Sequence, residues 1–482
     1  MSNTNARKSG LLSNLSWKFA ERISAQAVTT IVSVILARLL EPSHYGIIAV
    51  VTIFITLANV FVSDGLGSAL IQKKDADALD FSTVLYANLV ISILLYGILY
   101  VCAPVITRFY GEGYETLTPV LRVLGLRLIL TAVNSVQQAY ISRRMMFRKF
   151  FWATLFGTVL SAVVGITMAY KGYGVWALVF QYLTNTTVDT IILAISMGKH
   201  PPLAFSFRRL KGLFGFGLNV LGTNLFITIY KEMRAIIIGK IYSSTDLAFF
   251  DKGKHFPSLI ITNVNTTISQ VLFPRLSQDQ DDVSKVKLGT KRAIRFSSFL
   301  MCPLMIGLAS VSRNFVLVLL TEKWLPCAPL IVYSAIDFLF YPIHSTNMQA
   351  IKAMGRSDLL LKLEIIKKIT ELIVLLSVMF VSVEAIAIAM AACSTVFVAV
   401  NAWPNGKLIG YSLREQLLDL LPALVLSSIM AIAVMVVDLL PLTALPTLIL
   451  QVLTGGLVYI SLAAMTRNPE FVFLWNLVRK KK

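Results

Sequence analysis

The sequence predicts an all-α integral membrane protein of about 14 transmembrane helices, in two six-helix lobes with a pseudo-two-fold repeat plus two C-terminal helices. Of the 482 residues, 56% are hydrophobic and only 14% are charged, whereas soluble domains carry roughly 25% charged residues. The apolar residues form runs of about 20, the length of a membrane-crossing helix. They do not alternate with polar residues, as the strands of an outer-membrane barrel would.

Proline, glycine and charge clusters bound the apolar runs and divide them into fourteen predicted spans. In chain order these are 16–38, 45–70, 82–105, 117–141, 151–170, 175–197, 212–240, 246–272, 293–311, 326–351, 358–380, 384–402, 416–438 and 443–465. The seventh, eighth and eleventh are the weakest, because each carries several charges. Residues 1–15 are polar and precede no short apolar core with a cleavage site, so we expect no cleavable signal peptide.

The distribution of Lys and Arg predicts the orientation. With a cytoplasmic N-terminus, and with cations near a span end assigned to the adjoining segment, 29 of the 44 fall in cytoplasmic segments, six in outer segments and nine within spans. Positive residues are retained on the cytoplasmic side of a membrane, so both termini are predicted to be cytoplasmic. The same bias accounts for the net charge of +19 without nucleic-acid binding. The longest predicted loop, about 273–292, is too short for a soluble catalytic domain.

The cysteines and histidines do not indicate a metal site. Four of each are scattered singly along the chain, and no Cys-x-x-Cys pair occurs. Such spacing supports neither a disulfide framework nor a zinc site. Ser/His/Asp and metal-hydrolase arrangements are also missing from the sequence. We therefore expect no cofactor, no metal and no enzymatic activity.

A weak internal repeat predicts the two lobes. Residues 35–40 resemble residues 237–242, and residues 174–178 resemble residues 384–388. The pairs lie on helices 1 and 7 and on helices 6 and 12, so six helices repeat in one orientation, as in parallel-repeat transporters. The predicted domains are the polar N-terminus 1–15, the N-lobe 16–197, the cytoplasmic linker 198–211, the C-lobe 212–402, helices 13 and 14 with their preceding loop 403–465, and the basic cytoplasmic tail 466–482.

Charged residues inside the predicted spans are the candidate functional residues, because a charge at the centre of a bilayer costs roughly 2.5–3.5 kcal/mol on insertion scales. Surplus positive charge suits a diphosphate, since guanidinium forks pair with phosphate oxygens and ammonium groups supply point charge. Neighbouring carboxylates are candidates for ion coupling or gating. The predicted binding cations are Arg234, Lys231, Arg22, Lys252 and Lys254, and the coupling or gating candidates are Asp64, Asp251, Glu232 and Glu21.

Structural roles stay open for some of these residues. Arg22, near the start of helix 1, and Lys252 and Lys254, near the outer end of helix 8, could reach the membrane surface instead. Asp64 lies at a glycine-rich point where helix 2 can bend, and it could cap the helix rather than bind an ion. Other charges are expected to pair within a lobe: Lys367 and Lys368 with Glu364 and Glu371, and Arg122 and Arg127 with Asp189.

Two segments resemble motifs of bacterial polysaccharide transporters: LARLLEPSHYG at residues 36–46 and DGLGSAL at residues 64–70. With the fourteen-helix plan, the whole chain resembles the Wzx-type flippases of the multidrug/oligosaccharidyl-lipid/polysaccharide superfamily, and within them the exporters similar to the colanic acid exporter. The second half lacks the Tyr-Gly pair, so the first motif's role is transferred to residues 36–46 alone.

This resemblance implies a function and a place in the cell. Helices 1, 2, 7 and 8 would face a central cleft that alternates its access across the bacterial inner membrane. The substrate would be a polyprenyl-diphosphate-linked oligosaccharide for surface polysaccharide biosynthesis. The other expected partners are membrane lipids and a coupling ion, H⁺ or Na⁺, and no nucleic acid.

Two other functions remain alternatives. A cation-coupled multidrug antiporter of the same superfamily predicts that carboxylates outnumber cations in the cleft, whereas the candidate residues show surplus positive charge. A membrane polysaccharide polymerase or ligase predicts a sizeable outer loop with catalytic residues, whereas the predicted outer loops are short.

Overall fold

The computed structural model describes residues 24–479 apart from 65, 74 and 199–203, and every regular element in that part of the chain is helical. The packing divides the chain into two units, residues 1–248 and 249–482, with the boundary inside one long helix. An all-α membrane protein is therefore what the structure has, as the sequence predicts.

The described residues of the first unit form nine helices and the beginning of a tenth. They are α1 Ser24–Leu39, α2 Pro42–Asn59, α3 Leu66–Gln72, α4 Ala78–Tyr110, α5 Leu117–Gly125, α6 Arg127–Arg143, α7 Phe147–Tyr170, α8 Val175–Met197 and α9 Phe207–Ile241. Helix α9 packs against α2, α3 and α4. The predicted second lobe begins at residue 212, within α9, and that lobe boundary stays a prediction.

The second unit contains most of α10 and the helices that follow it. They are α10 Ser244–Gln278, α11 Val283–Leu319, α12 Cys327–Leu339, α13 Tyr341–Ala353, α14 Ser357–Val378, α15 Val383–Leu408, α16 Leu413–Val437, α17 Ala444–Met465 and α18 Pro469–Arg479. A short 3-10 turn, Glu322–Trp324, precedes α12.

Each of the fourteen predicted spans overlaps one helix or a pair of consecutive helices. Within the described residues, ten segments are long and apolar enough to cross a membrane. Among the helices that overlap predicted spans, those that do not meet this standard are α9, α10 and α14, which hold the three charge-rich spans, and the 16-residue described part of α1. The number of fourteen spans stays a prediction.

Short polar signals fix several helix starts. Asp77 caps α4, with its side chain accepting from the Asp80 amide while Asp80 accepts from the Asp77 amide. Ser412 and Glu415 form the same reciprocal box at the start of α16. Each box satisfies two amides that the first turn of a helix leaves without partners.

The second predicted span bends where its glycines predicted a break. Helix α2 ends at Asn59, a π-helical turn covers Val60–Asp64, and α3 begins at Leu66. Single π-turns interrupt the regular backbone hydrogen-bond ladder and are frequent at functional sites. The predicted break in helix 2 is therefore confirmed.

The predicted loop at 273–292 is wrong. Helix α10 continues to Gln278 and α11 begins at Val283, so only a four-residue turn, 279–282, separates them. Hydropathy falls where a helix leaves the bilayer, but the backbone hydrogen bonds of the helix continue into water. The charged sequence after residue 272 marked the edge of the membrane and not the end of the helix.

Buried amides tie α16 into the second unit. Asn347 on α13 donates to Gln416 on α16 at 2.7 Å, and Asn405 on α15 donates to Asn347 at 2.6 Å. All three side chains are fully buried. Near the C-terminal end of α11, Asn314 donates to Asp438 at 2.7 Å and to Gln451 on α17 at 3.1 Å. The thirteenth and fourteenth predicted spans, which are α16 and α17, are thus attached to α11, α13 and α15 by specific polar contacts.

Candidate functional site

The charged middle of α9 carries three of the predicted site residues. Lys231 is exposed, and Glu232 and Arg234 are half-buried. Lys231 and Arg234 lie one helical turn apart and share a face. No residue from 220 to 237 is buried, so neighbouring helices do not enclose this part of α9. Lys231 and Arg234 therefore lie on a partly accessible stretch of α9, and their contact with substrate stays a prediction.

Helix α10 carries the other cations, in the second unit. Lys252 is buried, with its ammonium group 5.9 Å from the centre of the Trp324 ring. Lys254 is half-buried, and Asp251 is exposed. A cation over an indole face is stabilised by the ring quadrupole. Lys252 is therefore packed beside Trp324, and its predicted contact with substrate stays a prediction.

Three predicted residues have little or no description. Glu21 and Arg22 lie outside the described residues. Asp64 is the last residue of the π-helical turn, and its side chain is also outside the described part. Their predicted roles in binding, coupling or gating stay predictions.

The ion pairs expected along the eleventh predicted span, which is α14, are present. On α14, Lys367 binds Glu364 at 2.6 Å and Lys368 binds Glu371 at 3.3 Å. Each pair is three residues apart, so the two side chains lie on the same side of the helix. These charges therefore pair locally along α14, as predicted.

The expected pairing of Arg122 and Arg127 with Asp189 is wrong. Asp189 accepts from Asn134 at 2.8 Å, and Arg127 donates to the Thr186 hydroxyl at 2.9 Å. Thr186 and Asp189 share a face of α8 but lie one turn apart, so helix register directs Arg127 to the hydroxyl. Arg122 instead lies 4.2 Å from the centre of the Tyr100 ring and donates to the Tyr100 carbonyl.

At its predicted outer end, α9 meets the motif at residues 36–46. A Cβ atom at Gly46 would overlap the backbone carbonyl of Ser244, just after α9. Only glycine allows this approach, which explains the last residue of the motif. A Cβ atom at Gly239 would lie 3.0 Å from the Tyr110 ring, and Lys240 donates to the Phe109 carbonyl.

Tyr114 completes this outer contact. Its hydroxyl donates to the Gly239 carbonyl at 2.9 Å, and its side chain is almost fully buried. Burial raises the pKa of the Tyr114 phenol, so the hydroxyl keeps its proton and remains a donor. We call the contacts made by Gly46, Tyr114, Gly239 and Ser244 the outer clasp.

At its predicted cytoplasmic end, α9 is held by an ionic cluster around Asp80. The Asp80 carboxylate is fully buried and lies 2.7 Å from the Lys73 ammonium and 3.1 Å from the Arg209 guanidinium. Arg209 also lies 3.1 Å from Asp77, and Arg143 donates to the Lys73 carbonyl. We call the cluster of Asp80, Lys73 and Arg209 the cytoplasmic clasp.

Neither clasp was expected from the sequence. Lys73 and Arg209 counted only as cytoplasmic charges, and Asp77 and Asp80 fell just before a predicted span. The Asp-x-x-Asp spacing at a helix start was an available signal, because it indicates a capping box. The pairing of Asp80 with Arg209, which lies 129 residues away in the sequence, had no comparable signal.

Comparison with known proteins decides the family. A family model described as polysaccharide biosynthesis protein matches residues 35–329. The chain belongs to this family. The match begins one residue before the motif at residues 36–46 and includes it, and the resemblance to polysaccharide flippases inferred from that motif is confirmed.

Several proteins are similar to this chain over most of its length. The teichuronic acid biosynthesis protein TuaB of Bacillus subtilis is 26% identical over 304 residues, which are 63% of this chain and 62% of TuaB. The succinoglycan biosynthesis transport protein ExoT of Rhizobium meliloti is 24% identical over 72% of this chain and 70% of ExoT. The lipopolysaccharide biosynthesis protein WzxC of Escherichia coli is 20% identical over 74% of this chain and 72% of WzxC. The chain thus matches less than two thirds of the length of TuaB.

Solved structures share the fold. The lipid II flippase MurJ in an inward closed conformation superposes with a TM-score of 0.76 at 16% identity, covering 96% of this chain and all of MurJ. An inward-facing multidrug resistance MATE transporter of the MOP superfamily gives 0.61 at 16% identity, covering 83% and 99% of the two chains. This chain therefore has the fold of these membrane transporters.

Proposed function

We propose that the chain is a flippase that moves polyprenyl-diphosphate-linked oligosaccharide units across the bacterial inner membrane, for surface polysaccharide biosynthesis. Membership of the polysaccharide biosynthesis family carries this proposal. The names of the relatives TuaB, ExoT and WzxC refer to polymer biosynthesis or transport. The multi-pass transporter fold supports movement across a membrane.

Lys231 and Arg234 are proposed to bind the diphosphate. They lie in the partly accessible middle of α9, where a cation pair on one face gains stability from an anion. Arg22, Lys252 and Lys254 are proposed as further cations of the site, and Asp64, Asp251, Glu232 and Glu21 as candidates for H⁺ or Na⁺ coupling or for gating. The polyprenyl tail stays in lipid while the sugar headgroup crosses between the lobes by alternating access.

Both chain ends are proposed to be cytoplasmic. The bias of 29 cytoplasmic against six outer Lys and Arg residues supports this orientation. The cytoplasmic clasp then lies on the side from which the lipid-linked substrate enters.

Deletion of the gene in its native bacterium tests the function. We expect a lipid-linked glycan to accumulate in the cytoplasmic leaflet, protected in intact spheroplasts from an added glycosidase. The wild-type gene should clear it, and a version with Arg234→Ala should not. Accumulation in the outer leaflet would favour a polymerase or ligase, and drug sensitivity with normal glycans would favour an antiporter. Either result would contradict the proposal.

A further inference from the structure

Helix α9 packs against α2, the π-helical turn, α3 and α4, and specific contacts fasten each of its two ends. From residue 220 to residue 237 none of its residues is buried. At the predicted cytoplasmic end, Ser82 of α4 donates to the Ala204 carbonyl at 2.5 Å, and the Ser206 amide donates to Thr83 at 3.2 Å. These bonds flank the cytoplasmic clasp, and the outer clasp fixes the other end.

The same helix, α4, lies at both attachments. Its first turn contributes Asp80 to the cytoplasmic clasp, and its last turn contributes the Phe109 carbonyl that accepts from Lys240. Helices α4 and α9 have 33 and 35 residues and run in the same direction through the first unit. Because no residue from 220 to 237 is fully buried, α9 can release one end with little loss of core packing.

The cytoplasmic clasp is built to separate at Arg209. The Lys73 ammonium lies 2.7 Å from both oxygens of the Asp80 carboxylate, so the carboxylate keeps a partner when Arg209 leaves. A buried carboxylate with no partner would be strongly unfavourable. The side chain of Arg209 is 37% exposed, and water can solvate its guanidinium once it is released.

The outer clasp uses different chemistry. It consists of the backbone approach of Gly46 to Ser244 and the neutral hydrogen bond from Tyr114 to Gly239. Neither contact contains a buried charge, so separation costs little electrostatic energy. The two ends of α9 can therefore be released by different perturbations.

We propose that the two clasps are the gates of the transport cycle: α9 is fastened at both ends in the closed state, and one clasp opens at a time. Release at Arg209 opens the cytoplasmic side to admit the lipid-linked substrate, and release at Gly46 and Tyr114 opens the outer side to discharge it. This inference rests on the proposed function and adds to it the residues that control access. Arg209, Gly46 and Tyr114 are positioning residues, since they act through the placement of α9.

Distance measurements between spin labels test this on the full chain in lipid nanodiscs. Cys102, the exposed native cysteine, is first replaced by serine. One reporter pair, Asp75→Cys with Lys211→Cys, spans the cytoplasmic clasp. The other, Glu112→Cys with Ser243→Cys, spans the outer clasp. All four sites are exposed.

Arg209→Gln should add a population with the cytoplasmic pair farther apart by at least about 5 Å, the scale of a one-turn displacement, while the outer pair is unchanged. The matched control is Arg208→Gln, which removes the exposed neighbouring charge and should change neither distance. An unchanged cytoplasmic pair in Arg209→Gln would overturn the cytoplasmic gate.

Gly46→Val should lengthen the outer pair alone, because its side chain cannot fit against Ser244. The matched control is Gly97→Val, whose Cβ meets nothing within 4 Å. Tyr114→Phe keeps the ring and removes only the hydrogen bond, so it tests the same end if Gly46→Val does not fold. An unchanged outer pair in every folded variant, or equal lengthening of both pairs, would overturn the proposal.

The transport assay separates this inference from the proposed function. If the distances respond as expected but deletion of the gene causes no lipid-linked glycan to accumulate, the clasps stand and the flippase function fails. If the glycan accumulates and Arg209→Gln exports it at the wild-type rate with unchanged distances, the function stands and the clasps fail as gates.

Discussion

Replacement of Asn347 by alanine should destabilise the second unit by about 3–4 kcal/mol. The Asn347 side chain makes three hydrogen bonds: it donates to Gln416 at 2.7 Å and accepts from Asn405 at 2.6 Å and from Gln416 at 3.1 Å. Side-chain hydrogen bonds within membrane proteins average about 0.6 kcal/mol, which gives about 2 kcal/mol for three. The orphaned carbonyl oxygen of Gln416 adds about 1–2 kcal/mol, because it stays buried without a donor.

The loss can be measured by reversible unfolding of the purified protein in mixed micelles with increasing dodecyl sulfate. Ser377→Ala is the matched polar control, because this exposed hydroxyl donates only within its own helix, to Val374 at 2.7 Å; its effect should stay within about 0.5 kcal/mol. Joint replacement of Asn347, Asn405 and Gln416 by leucine should recover much of the loss, since it leaves no unpaired polar group. A stability of Asn347→Ala within about 0.5 kcal/mol of wild type would refute the reasoning.

Three further outcomes are expected. Arg234→Ala should abolish glycan export while the protein inserts normally, and Arg234→Lys should restore it only partly because the bidentate fork is lost; wild-type export by Arg234→Ala, or its failure to accumulate in the membrane, would mean an anchor or a structural bridge. A reporter fused after Lys482 should be active only in the cytoplasm, and periplasmic activity would contradict the topology. Gly253→Ala should lower the free energy of unfolding by about 1–3 kcal/mol, because its Cβ would lie 2.5 Å from that of Leu330. The control Gly212→Ala, with open space around its Cβ, should be neutral or stabilising by up to about 1 kcal/mol. Equal unfolding midpoints for the two variants would contradict this.

The sequence predicted the helices well because the bilayer imposes a simple rule on them. A backbone in hydrocarbon must satisfy its own hydrogen bonds, so each long apolar run has to be helical. The break at Val60–Asp64 was also predictable, since glycines mark it. The rule ends at the membrane surface, where the continuation of α10 to Gln278 and of α11 from Val283 gave no hydropathy signal.

The site was less predictable, because charge inside a span identifies an unusual residue but not its neighbour. Lys252 and Arg234 look alike in the sequence, yet Lys252 is buried beside Trp324 and Arg234 is half-buried. The partners of Asp80 come from positions 73 and 209. Contacts over such separations depend on how helices pack, and one sequence contains no periodic trace of them.

The length of α11 has a mechanical consequence. Its 37 residues continue through Pro303 without interruption, and at 1.5 Å per residue they reach about 55 Å, against about 30 Å for the hydrocarbon core of the bilayer. In a rod of this length, a tilt of about 10° displaces one tip relative to the other by about 10 Å. Small rotations of α11 inside the lipid therefore produce larger displacements of the turn at 279–282, and a fluorophore attached there can report them.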